Sequence, residues 1–237
     1  MVCRIRIDES TQLENKILIT GFHGVGAAGY IAVRHLTTAL SAKKIGYLES
    51  DMLPGFISLE EESLQLPYEF YEYENFIIFL SRSQPSREEL NELIRTLVDW
   101  AITNKLKEAI LIGGLDNKFK SEEEELKSVP TKNFMERNKW TLLDKGLFVT
   151  GPLALLLAHF EIEKFPAVAL LPYAERERPD PRASAVAIKA ISEFYGDLDI
   201  KTKELIDDAE KIEKEISSMM QSQEKDSPDS PSRGMYV

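Results

Sequence analysis

Short apolar runs alternate with segments of helical periodicity along most of the chain, and this alternation is the strongest constraint on the fold. The runs are rich in isoleucine, leucine, valine or phenylalanine, and most are bounded by glycine or proline. Strands with such continuous apolar patterns are buried on both faces, as in a parallel sheet covered by helices. The sequence therefore predicts a layered α/β domain. The runs are KILIT, KKIGYL, NFIIFL, EAILIGG and AVALLPY, beginning at Lys16, Lys43, Asn75, Glu108 and Ala167.

Helix signals occupy the intervals between these runs. Pro85 and Ser86 precede acidic residues, which favour the first turn of a helix, so a helix is predicted at residues 87–104. Further helices are predicted at residues 151–160 and 181–196.

A more polar segment, residues 119–140, interrupts the alternation. Its SEEEEL portion is typical of a solvated helix or loop. We interpret the whole segment as a peripheral insertion and not as a carboxylate site.

Charge and cysteine content exclude several classes of protein. The 237 residues include 29 Lys and Arg against 40 Asp and Glu, a net charge of −11, which disfavours binding to nucleic acid. Since no stretch approaches the roughly 20 apolar residues of a bilayer span or has a signal-peptide core, we expect no membrane partner and a cytoplasmic location. The single cysteine, Cys3, excludes an intramolecular disulfide and a zinc site of several thiolates.

A glycine motif is the most conspicuous candidate for chemistry. Gly24, Gly26 and Gly29 form G-x-G-x-x-G directly after the first predicted strand and at the start of a helix. In dinucleotide-binding folds this turn holds a phosphate at the helix N-terminus, and Glu49 or Asp51 would then contact the ribose. The alternative, which we favour, is that the glycines only let the helix pack closely on the sheet.

The remaining candidates carry weaker signals. His23, His35 and His159 lie in different predicted elements and have no metal-ligand spacing. Asp180 lies between two prolines and is interpreted as a helix cap, with a catalytic role as the weaker alternative. We therefore predict no catalytic residue, no metal site and no cofactor.

The C-terminal part of the chain divides into a helix and a tail. Residues 202–220 have apolar positions at spacings of four and three, so this helix needs a surface to pack on, either its own domain or another subunit. After Gln221 the sequence is rich in serine, proline and charge, which predicts disorder. The expected organisation is a core at residues 1–200, a helix at 201–221 and a flexible tail at 222–237.

The tail ends in Met235, Tyr236 and Val237 after a purely polar stretch. A terminal carboxylate beside a tyrosine ring and a methionine makes a compact docking group, and captured C-terminal carboxylates are a recurring recognition mode. We predict these three residues as the partner-binding site.

Several motifs in order resemble the proteasome assembly chaperone family in its archaeal form. They are ILITGFHGVGAAG, the pair Gly113-Gly114 after ILI, TGPLALLL, ALLPYAERERPDPRASA and ELIDDAEKIEKEI, and the resemblance covers residues 17–216. Separately, Met235-Tyr236-Val237 is similar to the hydrophobic-tyrosine-any C-terminal motif with which proteasome activators and some assembly chaperones dock between α subunits.

The resemblance implies a Rossmann-like three-layer α/β body with a mainly parallel sheet, no established catalysis and no cofactor. It also implies proteasome α subunits as partners and a homo-oligomer, a tetramer or a pentamer. The predicted function is that of a proteasome assembly chaperone or proteasome-binding factor that docks its last three residues between α subunits and assists core assembly. Two alternatives stay open: a nucleotide- or nucleoside-dependent enzyme that uses the glycine turn, and an activator or adaptor of the mature proteasome.

Overall fold

The computed structural model describes residues 2–55, 57–60, 63–120, 124–196 and 200–208. The described chain forms helices and strands, with short 3₁₀ turns between some of them, and several strands follow one another from β3 to β7. In chain order they are β1 (Cys3–Ile7), β2 (Ile17–Gly21), α1 (Ala28–Ala39), β3 (Lys43–Ser50), β4 (Ser58–Glu60), β5 (Ser63–Gln65), β6 (Tyr68–Tyr73), β7 (Phe76–Ser81), α2 (Leu90–Thr103), β8 (Glu108–Ile112), β9 (Leu115–Asp116), β10 (Leu126–Pro130), α3 (Gly151–Ile162), β11 (Ala167–Ala174) and α4 (Pro181–Tyr195).

One large sheet organises the molecule, with strand order β1-β3-β6-β7-β2-β8-β11-β10 and with β9 paired to β11. Its central strands β7, β2, β8 and β11 are mutually parallel and buried along their whole length. The flanking pairs, β1 with β3, β3 with β6, β6 with β7 and β10 with β11, are antiparallel. The predicted α/β class with a parallel central sheet is confirmed.

The sheet is the middle of three layers. Alternate residues of a strand point to opposite faces, and Leu18 of β2 packs with α2 and α3, whereas Ile17 and Ile19 pack with α1 and α4. Each helix therefore covers strands that are apolar on both sides, which is why the strands have no polar alternation in the sequence.

Helix α2 shows how local sequence sets a boundary. The helix predicted from residue 87 begins at Leu90, after a turn in which the Ser86 hydroxyl accepts a hydrogen bond from the Glu89 N–H at 3.1 Å. Leu93 and Leu97 then lie on the buried face. The prediction of this helix is confirmed, and its start is displaced by one turn.

The interpretation of residues 119–140 as a peripheral insertion was wrong for β10, which is an edge strand of the main sheet. Its polar residues are buried because they have partners: the Ser128 hydroxyl lies 3.2 Å from the Thr141 carbonyl oxygen, and the Lys127 ammonium pairs with Asp144 at 3.3 Å. A polar strand of this kind does not produce the apolar run on which the prediction relied.

The helix predicted at residues 202–220 lies mostly outside the described residues. Residues 203–208 are helical, and Leu205 is buried with α1 and α4 of the same chain. Thus the first apolar position of the predicted stripe packs on its own domain.

Two buried tyrosines, Tyr68 and Tyr71, and the partly buried Tyr195 donate hydrogen bonds to glutamates: Tyr68 to Glu89, Tyr71 to Glu69 and Tyr195 to Glu108, at 2.9, 2.7 and 2.9 Å. Burial first, and the neighbouring carboxylate second, raises the pKa of each of these phenols above its ordinary value.

We predict that these pairs make the fold sensitive to alkali. A pKa raised in the folded state gives stability that is complete below the ordinary tyrosine value, about 10, and is lost as the pH rises further. Urea unfolding across the alkaline range, with phenolate followed by its ultraviolet absorbance, should show a falling free energy of unfolding, with a shallower fall in Tyr71→Phe. If the free energy of unfolding fell equally steeply with pH in the wild type and in Tyr71→Phe, Tyr71 would not be a source of the alkaline sensitivity.

Candidate functional site

The predicted docking residues Met235, Tyr236 and Val237 lie outside the described residues. The described site candidates are the glycine turn after β2 and the cavity beside it.

Gly29 and Gly114 lie where two segments of the backbone are in direct contact. A Cβ on Gly29 would overlap the carbonyl oxygen of Ile112 and lie 3.0 Å from the carbonyl carbon, and a Cβ on Gly114 would overlap the carbonyl oxygen of Val25. Helix α1 therefore starts in direct contact with the ends of β2 and β8. Only glycine permits this approach.

Both the backbone conformation at position 26 and the contacts around it require a glycine. Its φ is 61°, and a Cβ there would lie 2.9 Å from the Ala174 side chain and from the Glu175 carbonyl oxygen. The Gly26 carbonyl also accepts a hydrogen bond from the Asp180 N–H at 2.8 Å. The turn therefore packs tightly against the end of β11, which supports the close-packing interpretation of the motif.

Gly24 differs from the other glycines of the motif. A Cβ at Gly24 would meet nothing within 4 Å, and its φ of −150° is open to any residue. It lines a cavity of about 530 Å³ at the carboxyl ends of β2, β8 and β11. Open α/β sheets bind their ligands at this edge, and the volume is in the range of small-molecule pockets.

The walls of the cavity combine polar groups with apolar side chains. Phe22, Leu153 and Leu171 line its interior, and Phe119 and Phe148 line it with 41% and 84% of their surfaces exposed. These two exposed rings lie at a cavity mouth, where an apolar ligand would cover them.

The first turn of α3 also borders the cavity, through Thr150, Pro152 and Leu153. The first N–H groups of a helix have no partner within the helix, and they carry the positive end of its dipole. The Thr150 side chain makes no capping hydrogen bond. Pro152, the second residue of the helix, has no N–H, so this helix end has one donor fewer than most.

His23 adds a nitrogen donor or acceptor to the lining. Its ring stacks on Tyr30 with centroids 4.0 Å apart, and its Nδ1 is buried with no hydrogen-bond partner among the described residues. Burial lowers the pKa of His23, so the ring is neutral near pH 7.

The charged residues of the cavity compensate each other. The Asp116 carboxylate lies 3.6 Å from the Arg176 guanidinium and 3.1 Å from the Lys118 ammonium. A hydrogen bond from the Lys118 N–H, followed by the nearby cations, lowers the pKa of Asp116.

The acids expected for ribose binding are not near the glycine turn. Glu49 of β3 pairs with Arg6 of β1 at 2.9 Å, and the Asp51 carboxylate accepts a hydrogen bond from the Val2 N–H at 2.9 Å. Since β6 and β7 lie between β3 and β2, about 14 Å separates the two strands.

Asp180 has the geometry of a cap. One carboxylate oxygen accepts a hydrogen bond from the Ala183 N–H at 3.0 Å, and the other accepts from the Glu175 N–H at 2.9 Å. The first oxygen caps the start of α4, as the capping interpretation predicts, and the second connects this cap to the residue after β11.

The histidines do not come together. His35 Nε2 lies 3.1 Å from the Lys201 carbonyl oxygen, His159 lies in the last turn of α3, and His23 lines the cavity. Within the described ranges, no group of three His, Cys, Asp or Glu could hold a metal ion. The helices of the described chain include none that is long and apolar enough to span a membrane.

Sequence reasoning missed Phe148, Thr150 and Arg176 as cavity residues. The available signals were the Gly113-Gly114 pair at the end of β8 and the Gly151-Pro152 start of α3. Neither signal indicates that the end of β8 and the start of α3 line the same cavity, because that depends on the strand order.

The geometry defines a three-layer α/β protein with a cavity at the carboxyl edge of its parallel strands. The sequence pattern of the PAC2 family matches residues 18–220, so the chain belongs to the PAC2 family. The chain is 27% identical over 213 residues to the uncharacterized protein MJ0106 of Methanocaldococcus jannaschii, across 88% of this chain and 87% of that protein.

Solved structures share the fold. Pyrococcus furiosus PbaA, an archaeal homolog of proteasome-assembly chaperone, matches with a TM-score of 0.80 and 26% identity, over 94% of this chain and 99% of that one. Pyrococcus furiosus PbaB, an archaeal proteasome activator, matches with a TM-score of 0.75 and 20% identity, over 92% and 98%. At 20% identity, the similarity to PbaB shows a shared fold only.

Proposed function

We propose that this protein is a homo-oligomeric, non-catalytic proteasome-binding chaperone that engages proteasome α subunits and assists assembly of the core. The observation that carries the proposal is the similarity to PbaA along nearly the whole of both chains, within the PAC2 family.

The docking group in this proposal is Met235-Tyr236-Val237, with the Val237 carboxylate free to pair with a lysine between two α subunits. The tyrosine ring fills a pocket and its hydroxyl donates a hydrogen bond. One such group binds weakly. Several groups on one oligomer raise the effective concentration and give avidity without new contacts.

Deletion of Met235–Val237 is predicted to weaken association with α subunits at least tenfold, about 1.4 kcal/mol or more. Native mass spectrometry of the full chain mixed with α subunits measures the complex, and titration gives its affinity. Deletion of Ser227–Asp229 is the matched control, because it shortens the tail equally and keeps its end. Addition of one glycine after Val237 moves the carboxylate and should also weaken binding. Undiminished association by the truncated protein would refute docking through these residues.

An activator or adaptor role is the second candidate, favoured by the shared fold with PbaB. The same titration with the mature core in place of free α subunits separates the two. A chaperone binds free α subunits or their rings more tightly than the finished core, whereas an activator has the opposite preference.

A further inference from the structure

We propose that the hairpin of β4 and β5 is the docking surface for the apolar stripe in the C-terminal segment of the same chain, residues 209–220. The hairpin turns its leucines to solvent and its polar side chains to the body, and the stripe continues from the point where the described chain ends. The proposal does not depend on proteasome binding, because both surfaces belong to this chain.

The hairpin exposes the face that a hairpin normally buries. Leu59 and Leu64 are directly opposite each other in the register, so they share one face, and 67% and 57% of their surfaces are exposed. Ile57, two residues before Leu59, is 56% exposed. An antiparallel pair packed on a body usually points its apolar residues inward and its polar residues outward. A contiguous apolar face in the reverse orientation indicates a surface that another apolar group covers.

Hydrogen bonds hold the leucines in this orientation. The Gln65 side chain, only 7% exposed, faces the body, where its Oε1 accepts hydrogen bonds from Arg82 at 2.6 Å and from the Tyr71 hydroxyl at 3.4 Å. The Lys44 ammonium donates to the Leu64 carbonyl oxygen at 3.1 Å. A shift of one residue in the register would exchange the two faces and remove the amide from these donors. The exposed leucine face is therefore a specified feature of the fold.

The hairpin and the end of the described chain lie on the same side of the sheet. Tyr71, which contacts Gln65, belongs to the layer that β6 shares with α1 and α4. Leu205 is buried in that layer, and His35 Nε2 of α1 lies 3.1 Å from the Lys201 carbonyl oxygen. The described chain therefore ends close to α1, on the face that carries the hairpin.

The residues that follow supply the apolar group. From Leu205 the stripe continues through Ala209, Ile212, Ile216 and Met219. In a helix that rises about 1.5 Å per residue, Ile212 to Met219 lie roughly 10–21 Å beyond Leu205. The hairpin contacts β6 and β3, which are two and three strands away from β2 under α1, or about 10–14 Å. Because the stripe begins on its own domain and spans this distance, we assign the hairpin face to the same chain and not to a second copy.

Paired cysteines test the contact in the full chain. Leu64→Cys is combined in turn with Ile212→Cys, Ile216→Cys and Met219→Cys, and each protein is oxidised at low concentration. A disulfide needs Cα atoms within about 7 Å, so at least one pair should form an intrachain disulfide, identified by mass spectrometry of the linked peptides. Cys3 is buried, and burial raises the pKa of its thiol, so it competes poorly.

Two controls locate the contact. Lys214→Cys lies on the opposite side of the predicted helix from the stripe, and it is combined with Leu64→Cys. Leu142→Cys is at a side chain 47% exposed beside β10, at the far edge of the sheet, and it is combined with Ile216→Cys. Both control pairs should give at least tenfold less intrachain disulfide than the best stripe pair.

Hydrogen exchange gives a second readout without new cysteines. Leu59→Ser together with Leu64→Ser removes the apolar face and keeps Gln65, which holds the hairpin. The backbone amides of residues 209–220 should exchange at least tenfold faster in this protein than in the wild type, because the docked segment loses its surface. Leu142→Ser, also at an exposed leucine, should leave their exchange unchanged.

The proposal is overturned if none of the three stripe pairs forms an intrachain disulfide in excess of the controls, and disulfides formed only between chains would assign the face to a second copy. Unchanged exchange of residues 209–220 in the double serine variant would overturn it as well. Both readouts use the isolated chain, so the outcome is separate from whether the protein binds α subunits.

Discussion

Substitution of Gly29 by alanine is expected to lower the free energy of unfolding by about 3 kcal/mol or more, and substitution by valine to prevent folding. Helix propensity predicts the opposite sign for alanine, a gain of roughly 0.5–1 kcal/mol inside a helix. The steric effect is larger, because the new Cβ would overlap the carbonyl oxygen of Ile112 and lie 3.1 Å from the Phe22 nitrogen. Overpacking costs about 1–3 kcal/mol where side chains can yield, and here the neighbours are backbone atoms of β8 and of the residue after β2.

Urea unfolding of the purified chain, without added ligand, measures this effect. Gly24→Ala is the matched control within the same motif, since its Cβ would meet nothing within 4 Å and its φ is extended. We expect its stability to stay within about 0.5 kcal/mol of the wild type. Equal stability of Gly29→Ala and Gly24→Ala would show that the motif does not serve close packing.

The contrast between these two glycines shows how far sequence reasoning could go. The spacing Gly24-x-Gly26-x-x-Gly29 predicted correctly a turn between a strand and a helix, because glycine content and position reflect local conformation. It could not show that Gly29 touches β8 while Gly24 faces a cavity. Those contacts depend on which strand lies beside β2, and that neighbour is distant in sequence.

The same limit applies to the sheet edges. Runs such as NFIIFL and AVALLPY predicted the central strands, because burial on both faces requires apolar residues throughout. Strands β6 and β10 contain polar residues whose partners come from elsewhere in the chain, as for Glu69 and Lys127. A strand stabilised by paired polar groups has no signature in a search for apolar runs.

Removal of the Glu69 side chain should produce a second large effect. The carboxylate has no solvent exposure, and it accepts hydrogen bonds from the Leu66 N–H at 2.9 Å and the Tyr71 hydroxyl at 2.7 Å. It also pairs with Lys44 and, at 3.2 Å, with Arg82, whose side chain is only 8% exposed. Glu69→Ala leaves these cations without their carboxylate, and breaking a buried pair in this way costs about 3–5 kcal/mol.

The control for this change is Glu49→Ala, on the neighbouring strand β3. Glu49 also pairs with an arginine, Arg6, but both side chains are substantially exposed. Exposed pairs contribute about 0–1 kcal/mol, so the two variants differ mainly in burial. Urea unfolding of both near pH 7 should therefore separate them by several kcal/mol.

The pH dependence distinguishes charge from packing at Glu69. Burial alone would raise the pKa of Glu69, but the hydrogen bonds from Lys44, Leu66 and Tyr71 outweigh it and hold the pKa below its ordinary value. A pKa lowered by folding gives stability that is complete above the ordinary value, about 4.3, and is lost as the pH falls through the lower, folded value. The difference in stability between wild type and Glu69→Ala should therefore shrink on acidification from about pH 5 downward. A difference that stays constant over that range would mean that Glu69 stabilises β6 by filling space and not by its charge.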